Sequence, residues 1–380
     1  MAITLSLIPF VLGQPLADRD PALAAPPVDL TPGPQYADDR RPFQGIPGIE
    51  RAPGGRLWAT WYAGGETEGP ENYVLLVTSG DDGATWSGPA LVVDPPGMVR
   101  AYDPCLWVDP LGRLWLFWAQ SYGWWDGRAG VWAIRTDQPD AAEPQWSGPH
   151  RLCDGIMMNK PVALSSGEWA LPAAIWAIEP RTGDGEHAHE LGDRAGSNMI
   201  VSLDEGETWE YRGGSTVPGR ACDEHHIVEM DDGRLWMLVR TGYGIGESYS
   251  LDRGRRWSPG RPSWIPHIPA ARFFVRRLDS GNLLLVKHRP PDGRTRSHLE
   301  AYLSEDDGRS WVGGLSIDEQ AGVSYPDATQ ADDGLIYLIY DYDRTGAREI
   351  LMATFREADV LAGQTVSPGA RLGVLVNKAE

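Results

Sequence analysis

The chain has 380 residues, with 53 acidic against 34 basic side chains and a formal net charge of −19 at pH 7. That balance argues against nucleic acid and anionic membrane surfaces as partners, since a bound anion must be held by local positive charge against the global field. Three cysteines, Cys105, Cys153 and Cys222, are too few and too scattered for a disulfide framework or a zinc site, and read as buried structural thiols.

Met1 to Gly13 is apolar but has no Lys or Arg before it, unlike a secretory leader. It is expected to be an uncleaved strand completing a sheet, with a cytoplasmic location, secretion being the alternative. No apolar run reaches transmembrane length. Gln14 to Arg41, rich in Pro, Ala and Asp, reads as an irregular surface connection.

From Phe43 onward one pattern recurs. An apolar run, a glycine turn and a second apolar run form a β-hairpin, clearest in Asp223 to Thr241. Six copies turn at Gly55, Gly112, Gly167, Gly233, Gly281 and Gly334, spaced 57, 55, 66, 48 and 53 residues apart. Such periods with strand patterning predict an all-β, six-bladed propeller, which absorbs the whole length as one domain. Residues 43–362 are assigned to blades, 1–42 to an N-terminal strand and connection, and 363–380 to a C-terminal segment. Glu349 to Phe355 is expected to be a further strand outward, and Glu357 to Ala362 a short helical turn.

Within blade one, Gly64 to Asn72 is a polar loop with three carboxylates, Glu66, Glu68 and Glu71. Loops at a propeller mouth are where functional groups usually sit. Blade two carries Asp103 and, beyond its hairpin, the aromatics Trp124 and Trp125, suited either to stacking on a sugar or to packing between blades. Blade three carries Lys160 and a long polar stretch, Ile178 to Ser197, whose His187 and His189 lack further ligands in sequence; neither a metal nor a cofactor is implied. Blade four brings Glu224, His225 and Arg240, blade five Arg272, His288 and Arg296, and blade six Tyr325.

The starts of the six inner strands are therefore Gly45, Asp103, Lys160, Glu224 with His225, Arg272 and Tyr325. Inner strands of a propeller run parallel around the axis, so these groups are expected at one mouth.

A second motif keeps step with the first. Ser79-Gly-Asp-Asp-Gly-Ala-Thr-Trp86 recurs at Ser202 to Trp209, Ser250 to Trp257 and Ser304 to Trp311, with a worn copy near Thr136 to Trp146. Asp bonds turn amides, Gly takes a positive φ and Trp packs between sheets. The motif resembles the Asp-box of the sialidase superfamily, whose copies lie away from the active site. The resemblance implies Tyr325 as nucleophile, Glu224 as its activating base, and Arg240 and Arg296 as two members of a three-arginine clamp on a sugar carboxylate. There are two departures. Gly45 of Gln44-Gly45-Ile46-Pro47 stands where the first clamp Arg belongs, and the acid/base loop offers Glu68 or Glu71 in place of an Asp.

The expected activity is a sialidase-like exo-glycosidase on an acidic sugar, with Arg272, Lys160, Asp103, His225 and His288 as further substrate-binding residues. A lyase on uronate glycosides, using His225 or Tyr325 as base and Lys160 as a cation, is one alternative. A non-catalytic sugar-binding propeller is another. Oligomeric state has no signature in the sequence.

Overall fold

Second strands such as Leu114 to Tyr122 are apolar at nearly every position, where a half-solvated strand would alternate. In the computed structural model, which describes residues 20–122, 128–176, 194–266 and 269–380, those strands are covered on both faces by neighbouring sheets. Blade one contains β1 (Val28–Asp29), β2 (Gln44–Arg51), β3 (Leu57–Ala63), β4 (Tyr73–Ser79) and β5 (Leu91–Val93). Blade two contains β6 (Val99–Val108), β7 (Leu114–Tyr122), β8 (Gly130–Thr136) and β9 (His150–Asp154). Blade three is built from β10 (Val162–Ala163), β11 (Trp169–Ile175), β12 (Gly196–Ser202) and β13 (Glu210–Ser215). Blade four follows with β14 (Arg220–Glu229), β15 (Leu235–Thr241), β16 (Gly244–Ser250) and β17 (Arg261–Pro262). Blade five has β18 (Phe274–Arg277), β19 (Leu283–His288), β20 (Leu299–Ser304) and β21 (Val312–Asp318). Blade six has β22 (Val323–Gln330), β23 (Ile336–Tyr342), β24 (Glu349–Phe355) and β25 (Arg371–Lys378), with a short helix α1 (Glu357–Ala362) before its last strand.

Each sheet is antiparallel and in chain order, except that β1 adds to the outer edge of β5. The fold is thus the expected six-bladed propeller, and all six hairpin glycines have the left-handed φ their turns demand, from +78° to +105°. Two segments differ from expectation. In the connection, the described residues 20–41 contribute β1 and three 3₁₀ turns, and the C-terminal segment supplies β25 as the outer strand of blade six. The Met1 to Gly13 strand lies outside the described residues, as do Trp124, Trp125, His187 and His189.

The hydrophobic core is a ring of layers between blades. Trp58 and Trp118 share one layer, and Trp107 meets Trp169 edge-on at 5.0 Å in the next. Trp61 of blade one packs with Tyr337 and Ile339 of blade six, which closes the circle. The four Ser-x-Asp-x-Gly turns sit in this scheme at equivalent places. In each, the serine hydroxyl accepts the glycine amide and bonds the aspartate, as in Gly83 N to Ser79 Oγ at 3.0 Å. A Cβ on the turn glycine would overlap the preceding blade: Met352 for Gly83, Trp115 for Gly206, Met199 for Gly254 and Trp236 for Gly308. The glycine is needed for close approach as well as for φ.

Candidate active site

Four inner strands break register near their starts. The shifts fall at Ile46-Pro47, Asp103-Pro104, Glu224-His225 and Tyr325-Pro326. Proline has no amide hydrogen for the ladder, so three of these bulges are encoded by the residue after the displaced one. At all four the displaced residue is left-handed: φ is +60° at Ile46, +49° at Asp103, +42° at Glu224 and +55° at Tyr325. A bulge re-aims a side chain, and here Asp103, Glu224 and Tyr325 all line one small pocket at the mouth.

Tyr325 is the centre of that pocket. Its hydroxyl donates to Glu224 Oε1 at 3.2 Å and lies 3.4 Å from Arg240 Nη1, which also pairs with Glu224. β15 brings Arg240 beside the Glu224 bulge, as the hairpin pairing requires. The Arg296 and Arg344 guanidinium groups lie 5.4 and 5.2 Å from the Tyr325 ring centroid. Burial and the Glu224 charge raise the Tyr325 pKa, while Arg240, Arg296 and Arg344 pull it down. Burial alone would lower the Arg240 pKa, but Glu224 and Tyr325 outweigh it, so the guanidinium is held charged.

Across the pocket stand two carboxyl groups. Glu68 accepts from Arg344 Nη1 at 2.7 Å. Its loop is tied by Asn72, whose amide donates to the Gly64 and Thr67 carbonyls. Asp103 is fully buried, and that burial, with Glu68 and Glu224 nearby, pushes its carboxyl up to about 8. Arg100 and Tyr62 complete this wall, the Arg100 guanidinium stacking 4.0 Å from the Tyr102 ring centroid.

A family model for the BNR repeat-like domain matches residues 55–338. The chain belongs to the BNR repeat-like domain family. The anhydrosialidase of Macrobdella decora is 27% identical over 170 residues, which are 40% of this chain and 22% of that protein. The chain thus matches only about a fifth of that relative's length. Among solved structures, a leech intramolecular trans-sialidase complexed with 2,7-anhydro-Neu5Ac aligns at TM-score 0.66 and 15% identity, over 86% of this chain and 70% of that one. The Hadza microbial sialidase Hz136 aligns at TM-score 0.65 and 19% identity, over 86% and 68%. The intramolecular trans-sialidase of Ruminococcus gnavus aligns at TM-score 0.63 and 17% identity, over 88% and 98%.

Not every residue expected at the mouth of this BNR repeat-like propeller reaches it. Lys160 points into the central channel, where its ammonium donates to the Ile49 and Leu106 carbonyls at 2.6 and 2.8 Å and pairs with Glu50 and Asp327 at 3.1 Å each. Arg272 is likewise enclosed, donating to Asn159 Oδ1 and the Met158 carbonyl at 2.8 Å each. In blades three and five the inner strands are short and begin after these residues, without the bulge that would turn them outward. His225 donates to the Asn198 carbonyl at 2.8 Å and His288 to that of Val323 at 2.9 Å, and burial pushes both rings down to about 4. Glu71 is exposed and absent from the pocket wall. Cys222 does line the pocket, but burial pushes its thiol up to about 12, and that of Cys105 likewise, so both stay protonated.

Arg100 in the pocket wall, and Arg344 beside it on Glu68 and the Tyr325 ring, are cations that the sequence did not announce. Arg344 follows β23 in a turn whose Asp343 has φ +44°, and no repeat signature marks it. The only hint is indirect: Gly45 removes an expected cation, and Arg344 fills its space. A Cβ at Gly45 would overlap the Arg344 side chain and approach Asp341 Oδ2 at 2.9 Å. Gly45 itself is outside the left-handed region, so the backbone does not require glycine there.

A larger cavity lies at the opposite end of the channel. Trp107, Asp109, Glu229 and Arg277, at the far ends of inner strands, help to line it. Its volume exceeds that of the Tyr325 pocket, but Tyr325, Glu224, Asp103 and their arginines are not in its walls.

Proposed function

We propose that this protein is a sialidase-like, exo-acting glycoside hydrolase for a sugar carrying a carboxylate, with Tyr325 as nucleophile and Glu224 as its base. The observation that carries this reading is the Tyr325 hydroxyl held 3.2 Å from Glu224 Oε1, with both groups against Arg240. Burial and Glu224 keep the phenol protonated at rest, so attack requires proton transfer to Glu224 as the bond forms. The three guanidinium groups around Tyr325 stabilise the negative charge that develops on its oxygen.

The Tyr325 oxygen bonds to the anomeric carbon while the glycosidic C–O bond breaks, and the leaving oxygen takes a proton from Glu68. Water then attacks the anomeric carbon, giving a proton to Glu68, and Tyr325 departs with the proton held by Glu224. Asp103, protonated at pH 7, donates a hydrogen bond to a sugar hydroxyl. The lyase alternative rested on His225 and Lys160. It draws little support from a histidine donating to a backbone carbonyl and a lysine enclosed by two carboxylates.

The deciding experiment follows wild type and Tyr325→Phe on sialosides, other nonulosonates and uronate glycosides, recording released reducing sugar and ultraviolet absorbance together. Saturated product that disappears in the variant is expected. Growth of absorbance from an unsaturated uronate overturns hydrolysis in favour of elimination, and binding without turnover by the wild type identifies a lectin.

A further inference from the structure

We infer that Arg344 is a carboxylate-binding residue of this site, delivered from blade six into the volume that Gly45 leaves open, and that Glu68 occupies it until the substrate's carboxylate takes over. This rests on the hydrolase reading above. The geometry behind it is independent of sequence motifs. Arg344 sits between two acidic groups, 2.7 Å from Glu68 Oε1 and 4.0 Å from Asp341 Oδ2, with its guanidinium 5.2 Å from the Tyr325 ring centroid.

The two acidic partners differ in their commitments. Asp341 is fully buried and accepts from the Ile46 amide at 2.7 Å and the Ser324 hydroxyl at 2.8 Å, so it is fixed. The Glu68 side chain is 18% exposed on a loop that faces the pocket, and among the described residues its one hydrogen bond between side chains is to Arg344. Arg344 itself is 23% exposed and is paired with Glu68, which lines the pocket. Arg240, by contrast, is already neutralised by Glu224. An incoming carboxylate competes with Glu68 for Arg344, since both draw on the same guanidinium N–H donors. Binding of the acidic sugar thereby frees Glu68 from its ion pair, at the pocket wall that it shares with Asp103.

The test is isothermal titration of the whole protein with N-acetylneuraminic, glucuronic and galacturonic acids, and with glucose as the neutral control, beside turnover of the corresponding glycosides. For an acid that binds the wild type, Arg344→Ala should weaken affinity at least ~10-fold. Glu68→Gln, which removes the competitor and keeps the shape, should tighten it severalfold. The exchange Gly45→Arg with Arg344→Ala should recover most of the loss, because the cation re-enters the same volume. Unchanged affinity in Arg344→Ala, or weaker affinity in Glu68→Gln, overturns the assignment even where Tyr325→Phe still abolishes turnover. If the wild type binds none of the three acids, both this inference and the acidic-sugar reading fall.

Discussion

A non-glycine residue held in the left-handed region carries about 1–3 kcal/mol of strain, and it persists only where its surroundings over-determine it. Asp103, Glu224 and Tyr325 each bear that strain at one register of their blades, and each presents its polar group to the same pocket. The base role argued for Glu224 predicts that Glu224→Gln, which keeps a hydrogen bond but cannot take a proton, lowers kcat on an accepted glycoside by about 10²–10⁴-fold. Steady-state kinetics checks this, and a variant retaining a tenth of wild-type kcat removes Glu224 from the role. Asp103 makes a prediction in pH. Burial, with Glu68 and Glu224, moves its carboxyl from 3.8 to about 8, so between those values the folded state keeps a proton that the unfolded chain has lost. Stability therefore falls as pH rises through that window, by up to about 1.4 kcal/mol per pH unit from this group. Asp103→Asn should flatten the slope, read from urea unfolding at pH 5, 6.5 and 8; parallel slopes in variant and wild type contradict the assignment.

At the scale of the element, the hairpin and the Ser-x-Asp-x-Gly turn explain how the 25 short strands among the described residues form six sheets in order. Two glycines separate the demands on such turns. Gly233 has φ +80°, and a methyl group added there would meet nothing within 4 Å, whereas Gly308 has φ +83° and its Cβ would stand 2.5 Å from Trp236. Gly233→Ala should therefore cost about 1 kcal/mol of backbone strain, and Gly308→Ala roughly 2 kcal/mol or more, because a buried indole must also move. Chemical denaturation of both variants measures the difference, and equal losses would show that inter-blade approach adds nothing.

For the whole molecule, the channel is closed by charge. Lys160 of blade three bonds the backbone of blades one and two and pairs with Glu50 and Asp327, while Arg272 of blade five approaches Asp327 at 3.7 Å. Burial alone would raise the Glu50 pKa, but Lys160 and Arg276 overcome it and hold the carboxylate ionised. Lys160→Met strands two buried carboxylates and should destabilise the fold by about 3–5 kcal/mol. A lysine acting on substrate would instead raise KM at unchanged stability, so thermal unfolding and KM measured together decide between the roles.

What the chain's own order of residues determined was periodic and local. Apolar runs around Gly55, Gly112, Gly167, Gly233, Gly281 and Gly334 specify hairpins, their spacing specifies six blades, and Glu224 and Arg240 share one end of one hairpin, so their proximity follows from strand pairing. Proline after Ile46, Asp103 and Tyr325 even marks where three inner strands bulge. Tertiary structure decided what a repeat cannot express. Equivalent positions in different blades face either the mouth or the channel according to whether their strand bulges, which separates Tyr325 and Asp103 from Lys160 and Arg272. It also decided that Arg344, far from Gly45 in the chain, fills that glycine's empty volume, because complementarity of space between the first and last blades exists only once the ring has closed.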